Sequence, residues 1–270
     1  ISCRSSGISV VERFLLAMTG LAAAYPHSGR AVGVIHFGVG AFHRGHQAVY
    51  FDDALRGDLG EWGSYGISPR SATVTDILRK QQFLYTVNAR QGDHQDPRVV
   101  GSIFNGSVFD IDNPELSAAL ISPELKLLTI TVTEKAYVSG IEGVSMPNRI
   151  LDMLTIRYRA GMQAPTLISC DNLPENGAFL HKVLMESASE RHLDPDFQRW
   201  ISNLHVPNSM VDRIVPAITP EAIARFENDF GYRDESLIST EPYRQWVVAP
   251  HPANYNLQEI GVELADEVSG

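Results

Sequence analysis

The stretch "VIHFGVGAFHRGH", Val34 to His46, holds the residue types from which a phosphate-binding loop is made. Gly38 and Gly40 match the first two positions of a G-x-G-x-x-G turn. A tight turn at Gly38 and a bare backbone at Gly40 let a pyrophosphate approach main-chain N–H groups at a helix N-terminus. His43 stands where the third glycine is expected, which implies an altered helix approach or a ring turned toward the ligand. Arg44 adds a full positive charge within reach of a diphosphate. The plainer alternative is a simple strand-to-helix turn.

Further candidates follow apolar runs. "TVTEKAYV" puts Thr133, Glu134 and Lys135 at the end of the strongest β-like segment, and "SCDNLPENG" puts Asp171 and Asn172 after the next. In open α/β sheets, ligands sit beyond the carboxyl ends of strands. An Asn there donates a side-chain N–H to a carbonyl or alkoxide oxygen, or else forms an Asx-turn or helix cap. "PNSMVDRIVP" holds Asp212 and Arg213, either as a buried ion pair or with a polar group facing a site. His36, His43 and His46 lack a matching carboxylate or cysteine set, so no metal is expected. Cys170 reads as a small buried hydrophobe.

These residues need a scaffold. Val32 to Phe37 reads as a buried strand and Ala41 to Leu55 as the helix after it. Strands are expected at 63–68, 126–133 and 166–170. Extended segments are expected at 84–89 and 99–109, as a hairpin excursion around "QGDHQDPR". Helices are expected at 73–82, 114–121, 149–160, 176–191, 193–204 and 220–228. "EPYRQWVVAPHPANYN" reads as a short strand and an irregular Pro-rich segment. The alternation predicts an α/β fold, a doubly wound, mostly parallel Rossmann-type sheet with helices on both faces. Residues 1–30 are read as a helical extension, 31–240 as the dinucleotide-binding domain and 241–270 as a crossover segment. "FLLAMTGLAAAYP" near the start fits a short surface or capping helix better than a signal segment.

In a dinucleotide-binding fold, the second strand ends near an acid that holds the ribose hydroxyls. Here it runs into "ISPRSATVTD", with no acid before Asp76. Arg70 is free to pair with a 2′-phosphate or to stand as an exposed loop charge. The cofactor expectation is therefore NAD or NADP, leaning toward NADP. The net charge of -10 argues against a nucleic-acid surface. No apolar run reaches the ~18 residues of a membrane span. Two cysteines without disulfide or zinc spacing make a reducing, cytoplasmic setting the default.

Taken together, "HFGVGAFHRGHQAVYFD", "WGSYGISPRS", "TITVTEKAY", "SCDNLPENG" and "PNSMVDRIVP" resemble the polyol-specific long-chain dehydrogenases, the mannitol 2-dehydrogenase and fructuronate reductase group. The resemblance runs from about Val32 onward. It implies metal-independent hydride transfer between a nicotinamide cofactor and a secondary alcohol or ketone of an open-chain polyol or sugar acid. It implies that Gly38, Gly40, Phe42 and Arg44 line the pyrophosphate, and that Thr133 and Glu134 lie near the nicotinamide. It implies that Asn172 polarises the reacting oxygen beside the cofactor and that Asp212 organises the substrate site. A monomer or weak homo-oligomer is expected.

Two departures from the family pattern bear on chemistry. The loop after the second strand carries "SAT" where NAD-preferring members carry acids. The K-x-x-x-x-N-x-x-H helix that supplies the family's general base matches no position of these 270 residues. A C-terminal helical domain is therefore expected to be missing, and the chain alone is expected to bind dinucleotide weakly and turn over little substrate. The alternatives are a nucleotide-binding module without catalysis and a SAM-dependent methyltransferase. The latter also uses a glycine-rich first turn, but expects an acid after the second strand.

Overall fold

The computed structural model describes residues 21–26, 30–132, 136–137, 145–250, 256–266 and 268. Its centre is a five-stranded sheet in the order β5-β2-β1-β6-β7. The strands are β1 (Val32–Phe37), β2 (Gly63–Ser68), β5 (Ile103–Val108), β6 (Leu127–Ile130) and β7 (Thr166–Ser169). Every pairing in it is parallel. The chain winds outward from β1 to β2 and β5, then returns to lay β6 on the other side of β1. That reversal opens a crevice at the carboxyl ends of β1 and β6.

The strands are buried on both faces, and their side chains alternate between two layers. Ile35, Phe37, Leu128 and Ile130 enter one core with α4 (Pro114–Leu120), α5 (Met146–Arg159), α6 (Asn176–Glu190) and α7 (Pro195–Ser202). Val34, Leu127 and Ile168 enter the other, with Tyr50, Phe51, Ala54 and Leu55. The helices start where local chemistry dictates. Asn113, Ser145 and Asp194 each cap a helix with a side-chain oxygen, with proline in the first turn.

The helix expected at 41–55 is two. α1 (Ala41–Gly45) ends at His46, whose φ of -123° and ψ of -89° break the ladder, and α2 (Gln47–Arg56) follows. The expected hairpin excursion forms from β3 (Tyr85–Gln91) and β4 (His94–Val100). The same β3 pairs in parallel with β9 (Ile238–Thr240). The long extended segment expected at 99–109 divides between β4 and β5, because β5 leaves the hairpin to join β2. The strand expected at 126–133 ends at Ile130.

The sequence predicts a crossover segment over residues 241–270. Their described part holds β10 (Gln245–Val248) and β11 (Glu263–Leu264), which pair with each other. The other edge of β10 pairs antiparallel with β8 (Ser209–Asp212). Trp246 is fully buried, edge-on to Tyr50 and Phe51, so this segment packs on the same core as β1. Of the expected N-terminal extension, Leu21 and Tyr25 are buried, and the Tyr25 hydroxyl donates to Asp52 at 2.6 Å.

Candidate active site

An open cleft of about 520 Å³ lies at the carboxyl ends of β1, β6 and β7. Its lining includes Phe42, Val132, Asp171, Asn172 and Asp212. The loop after β1 forms one wall. Gly38 has φ of +110°, and a Cβ there would meet the Thr131 carbonyl oxygen at 1.9 Å. Only glycine fits, because the turn demands the conformation and the Thr131 backbone, just past β6, fills the space. Gly40 is the opposite case. A Cβ there would meet nothing nearer than the Gly38 oxygen at 3.7 Å, so the space above it is clear.

His43 does not face the cleft. Its ring is fully buried and stacked on His36, with centroids 3.4 Å apart. The His36 Nε2–H donates to the Gly38 carbonyl at 3.3 Å, and its Nδ1 accepts from the Thr129 hydroxyl at 2.7 Å. Burial holds His36 at about 3 and pushes His43 well below the ordinary histidine value, so both rings are neutral. The third-glycine position is thus filled by a ring wedged under the loop. Gly45 supplies the close approach instead, since a Cβ there would meet Ile238 and Val215 at 3.0 Å.

Arg44, expected to bring a free charge to the loop, is buried. Its Nη1 donates to the Ser236 carbonyl at 2.8 Å and its Nε to the Gly40 carbonyl at 3.3 Å. The break at His46 also leaves a five-residue helix on the loop, so the long macrodipole expected there is absent. What remains for an anion is the first turn of α1, whose leading N–H groups have no helical acceptor.

Asn172 is exposed on the cleft, one residue past the buried Asp171. It is not the cap of α6, because Glu175 holds that position at φ 48°. The Asn208 side chain caps α6 instead, accepting from Gly177 and Ala178 N–H at 3.0 and 3.2 Å. Gly177 is needed because a Cβ there would meet the Pro207 backbone at 2.4 Å. Asn176 completes the seam. Its Nδ2 donates to the Ser169, Asp171 and Ser209 carbonyls, and its Oδ1 accepts from Ser209 N–H. This bonding holds β8 against the end of β7, and Asp212 lines the same cleft as Asn172. The roles of Asn176, Asn208 and Ser209 escaped the sequence reading, since these residues act through pairings 30 to 33 residues apart.

Asp212 and Arg213 are not a buried pair. Asp212 is exposed at the end of β8, while Arg213 turns inward. Its Nη1 donates to the Gly45 carbonyl at 2.6 Å and its Nη2 to the Glu241 carbonyl at 2.9 Å. Burial first, and then Arg244, lower Arg213 to about 10. Arg70 is exposed beyond β2, on the adenosine side of such a sheet. Arg149, in the first turn of α5, donates to the Pro69 carbonyl and lies over the Phe109 ring at 5.0 Å. Thr133, Glu134 and Lys135 lie outside the described residues. Among the described residues no cluster of His, Cys, Asp and Glu suits a metal ion, and no helix is long and apolar enough to cross a membrane.

A five-stranded open parallel sheet with a glycine turn after its first strand defines the Rossmann class. Residues 32–260 match the mannitol dehydrogenase Rossmann domain, and the chain belongs to that family. It is 33% identical over 256 residues to the D-mannonate oxidoreductase of Escherichia coli, covering 86% of this chain and 52% of that protein. It is 32% identical over 275 residues to the mannitol 2-dehydrogenase of Emericella nidulans, covering 90% of this chain and 54% of that one. The solved ternary complex of Pseudomonas fluorescens mannitol 2-dehydrogenase with NAD and D-mannitol superposes with a TM-score of 0.81 at 30% identity. That match covers 91% of this chain and 55% of the solved one. The chain spans little more than half the length of these relatives.

Proposed function

We propose that this chain is the nucleotide-binding part of a metal-independent oxidoreductase acting on an open-chain polyol or sugar acid, of the mannitol/fructose or mannonate/fructuronate type. The observation that carries the reading is the meeting of Asn172 and Asp212 in one cleft beside the Gly38 turn. The site fits a nicotinamide dinucleotide, since the clear space over Gly40 gives a pyrophosphate room against the first turn of α1.

A bound nicotinamide supplies hydride acceptance and return. The chain's own residues bind and orient. Asn172 donates an amide N–H to the substrate oxygen, stabilising the alkoxide left when the hydroxyl gives up its proton, before the carbon bearing that oxygen loses hydride and becomes the carbonyl. Asp212 accepts hydrogen bonds from substrate hydroxyls and fixes which carbon faces the cofactor. Gly38, Gly40 and Phe42 form the pyrophosphate wall. Arg44 supports it from beneath, by holding the Gly40 carbonyl.

The preferred cofactor is NADP. No acid stands between Ser68 and Thr75, so nothing there repels a 2′-phosphate or bonds the free ribose hydroxyl as a carboxylate does. Arg70 and Arg149 face the same turn. Burial first, and then the neighbouring Arg70 charge, lower the Arg149 guanidinium. A dianion between them relieves that repulsion. Calorimetric titration of the chain with both cofactors is expected to show NADPH binding about tenfold tighter than NADH, with Arg70→Ser erasing the difference. Tenfold tighter NADH binding would overturn the preference.

A further inference from the structure

Asp171 is buried, stands two residues past the end of β7, and lies beside Asn172 on the cleft wall. Its Oδ1 accepts from the Val132 N–H at 2.6 Å, at the carboxyl end of the neighbouring β6. Its Oδ2 accepts from the Tyr137 hydroxyl at 2.5 Å and, more weakly, from the Ser169 hydroxyl at 3.4 Å. Its carbonyl is held in turn by Asn176 Nδ2 at 3.0 Å and by Leu173 N–H at 2.9 Å. Among the described residues no cation pairs with this carboxylate. The titratable groups facing it are the Tyr137 hydroxyl and the Cys170 thiol, both pushed upward by burial and by Asp171 itself, and so both neutral. A carboxyl group in such surroundings costs desolvation that a plain hydrophobic contact would avoid. What it achieves is a bridge between two strand ends that carry the cleft wall.

We propose that Asp171 is a positioning residue: its carboxylate latches the chain leaving β6 to the chain leaving β7, and so sets the wall against which the nicotinamide half of the dinucleotide lies. The assignment of that half follows from topology. The β1-β2-β5 side of the sheet takes the adenosine half, which leaves the β6-β7 side for the other. The inference rests on the dinucleotide reading above. It goes beyond it by giving a role to a residue that acts through its neighbours, Val132 on one side and Asn172 on the other.

The test is a pair of affinities, for NADPH and for 2′-phospho-ADP-ribose, which lacks the nicotinamide ring. Both are measured on wild type, Asp171→Ala, Asp171→Asn and Tyr137→Phe at pH 7.5. Asp171→Ala is expected to weaken NADPH about tenfold and the fragment less than about twofold. Asp171→Asn, which still accepts from Val132, is expected to restore most of the loss, and Tyr137→Phe to give an intermediate one. Equal weakening of both ligands, as general loosening of the fold would give, overturns the latch. So does unchanged NADPH affinity in all three variants. If Asp171→Ala fails to fold, Tyr137→Phe alone decides by the same comparison. Wild type that binds neither ligand overturns the dinucleotide reading and the latch together.

Discussion

At the residue scale, the site depends on polar groups whose surroundings decide their charge. Burial raises Asp171 from 3.8 to about 6, and the hydrogen bonds from Tyr137, Val132 and Ser169 offset that only in part. The folded state therefore holds its proton more tightly than the unfolded chain does. The stability this contributes is complete below about pH 4 and disappears as pH rises through about 6. Its size is of the order of 2–3 kcal/mol. Urea unfolding of wild type and Asp171→Asn between pH 4 and 7 checks this. The stability difference is expected to change across that window, and parallel curves would contradict it. Its place after an expected strand nominated Asn172 from sequence, whereas Asp212 stood open between a buried ion pair and a site-facing group until the family resemblance put it in the substrate site. The latch and the Asn176 seam were not legible. They exist only once strands 31 to 39 residues apart are brought together.

At the element scale, the strand-turn-helix order was readable from alternating burial and the glycine pair, but the helix break was not. His46 interrupts a continuous amphipathic pattern because its Nε2–H is drawn to the Gln245 carbonyl at 2.8 Å, 199 residues away. The break lets α1 tilt so that Gly45 touches Val215 and Ile238, and lets His43 slide beneath the loop. Gly45 is thus the position where helix and neighbouring chain approach most closely, displaced by two residues from the glycine expected at 43. Gly45→Ala forces its new methyl against side-chain carbons 3.0 Å away and is expected to cost about 1–2 kcal/mol. A shift in the urea midpoint reads it directly, and an unchanged midpoint would show that α1 has room to move. Strands β8 and β9 escaped the sequence reading for a similar reason. They are four and three residues long, too short for a period of two to register, and they exist through their partners β10 and β3.

At the scale of the whole molecule, the order β5-β2-β1-β6-β7 carries the functional reading, since it opens the crevice where a dinucleotide crosses the sheet. Strong apolar segments and their spacing made a doubly wound, mostly parallel sheet legible in advance, while the order of its strands came from the structure. The packing of residues 245–248 onto the same core was not, because one buried tryptophan in a Pro-rich stretch gives no periodic signal. The family and the fold imply a nicotinamide cofactor, and the central proposal is that the carboxyl edge of this sheet holds it on the Gly38 turn. The most direct measurement is calorimetric titration of NADPH into wild type and into Gly38→Ala, with circular dichroism verifying that both are folded. The account predicts saturable one-to-one binding to wild type and at least about tenfold weaker binding to the variant, whose methyl displaces the turn from Thr131. Absence of saturable binding by wild type, or equal affinity in a folded Gly38→Ala, would contradict it.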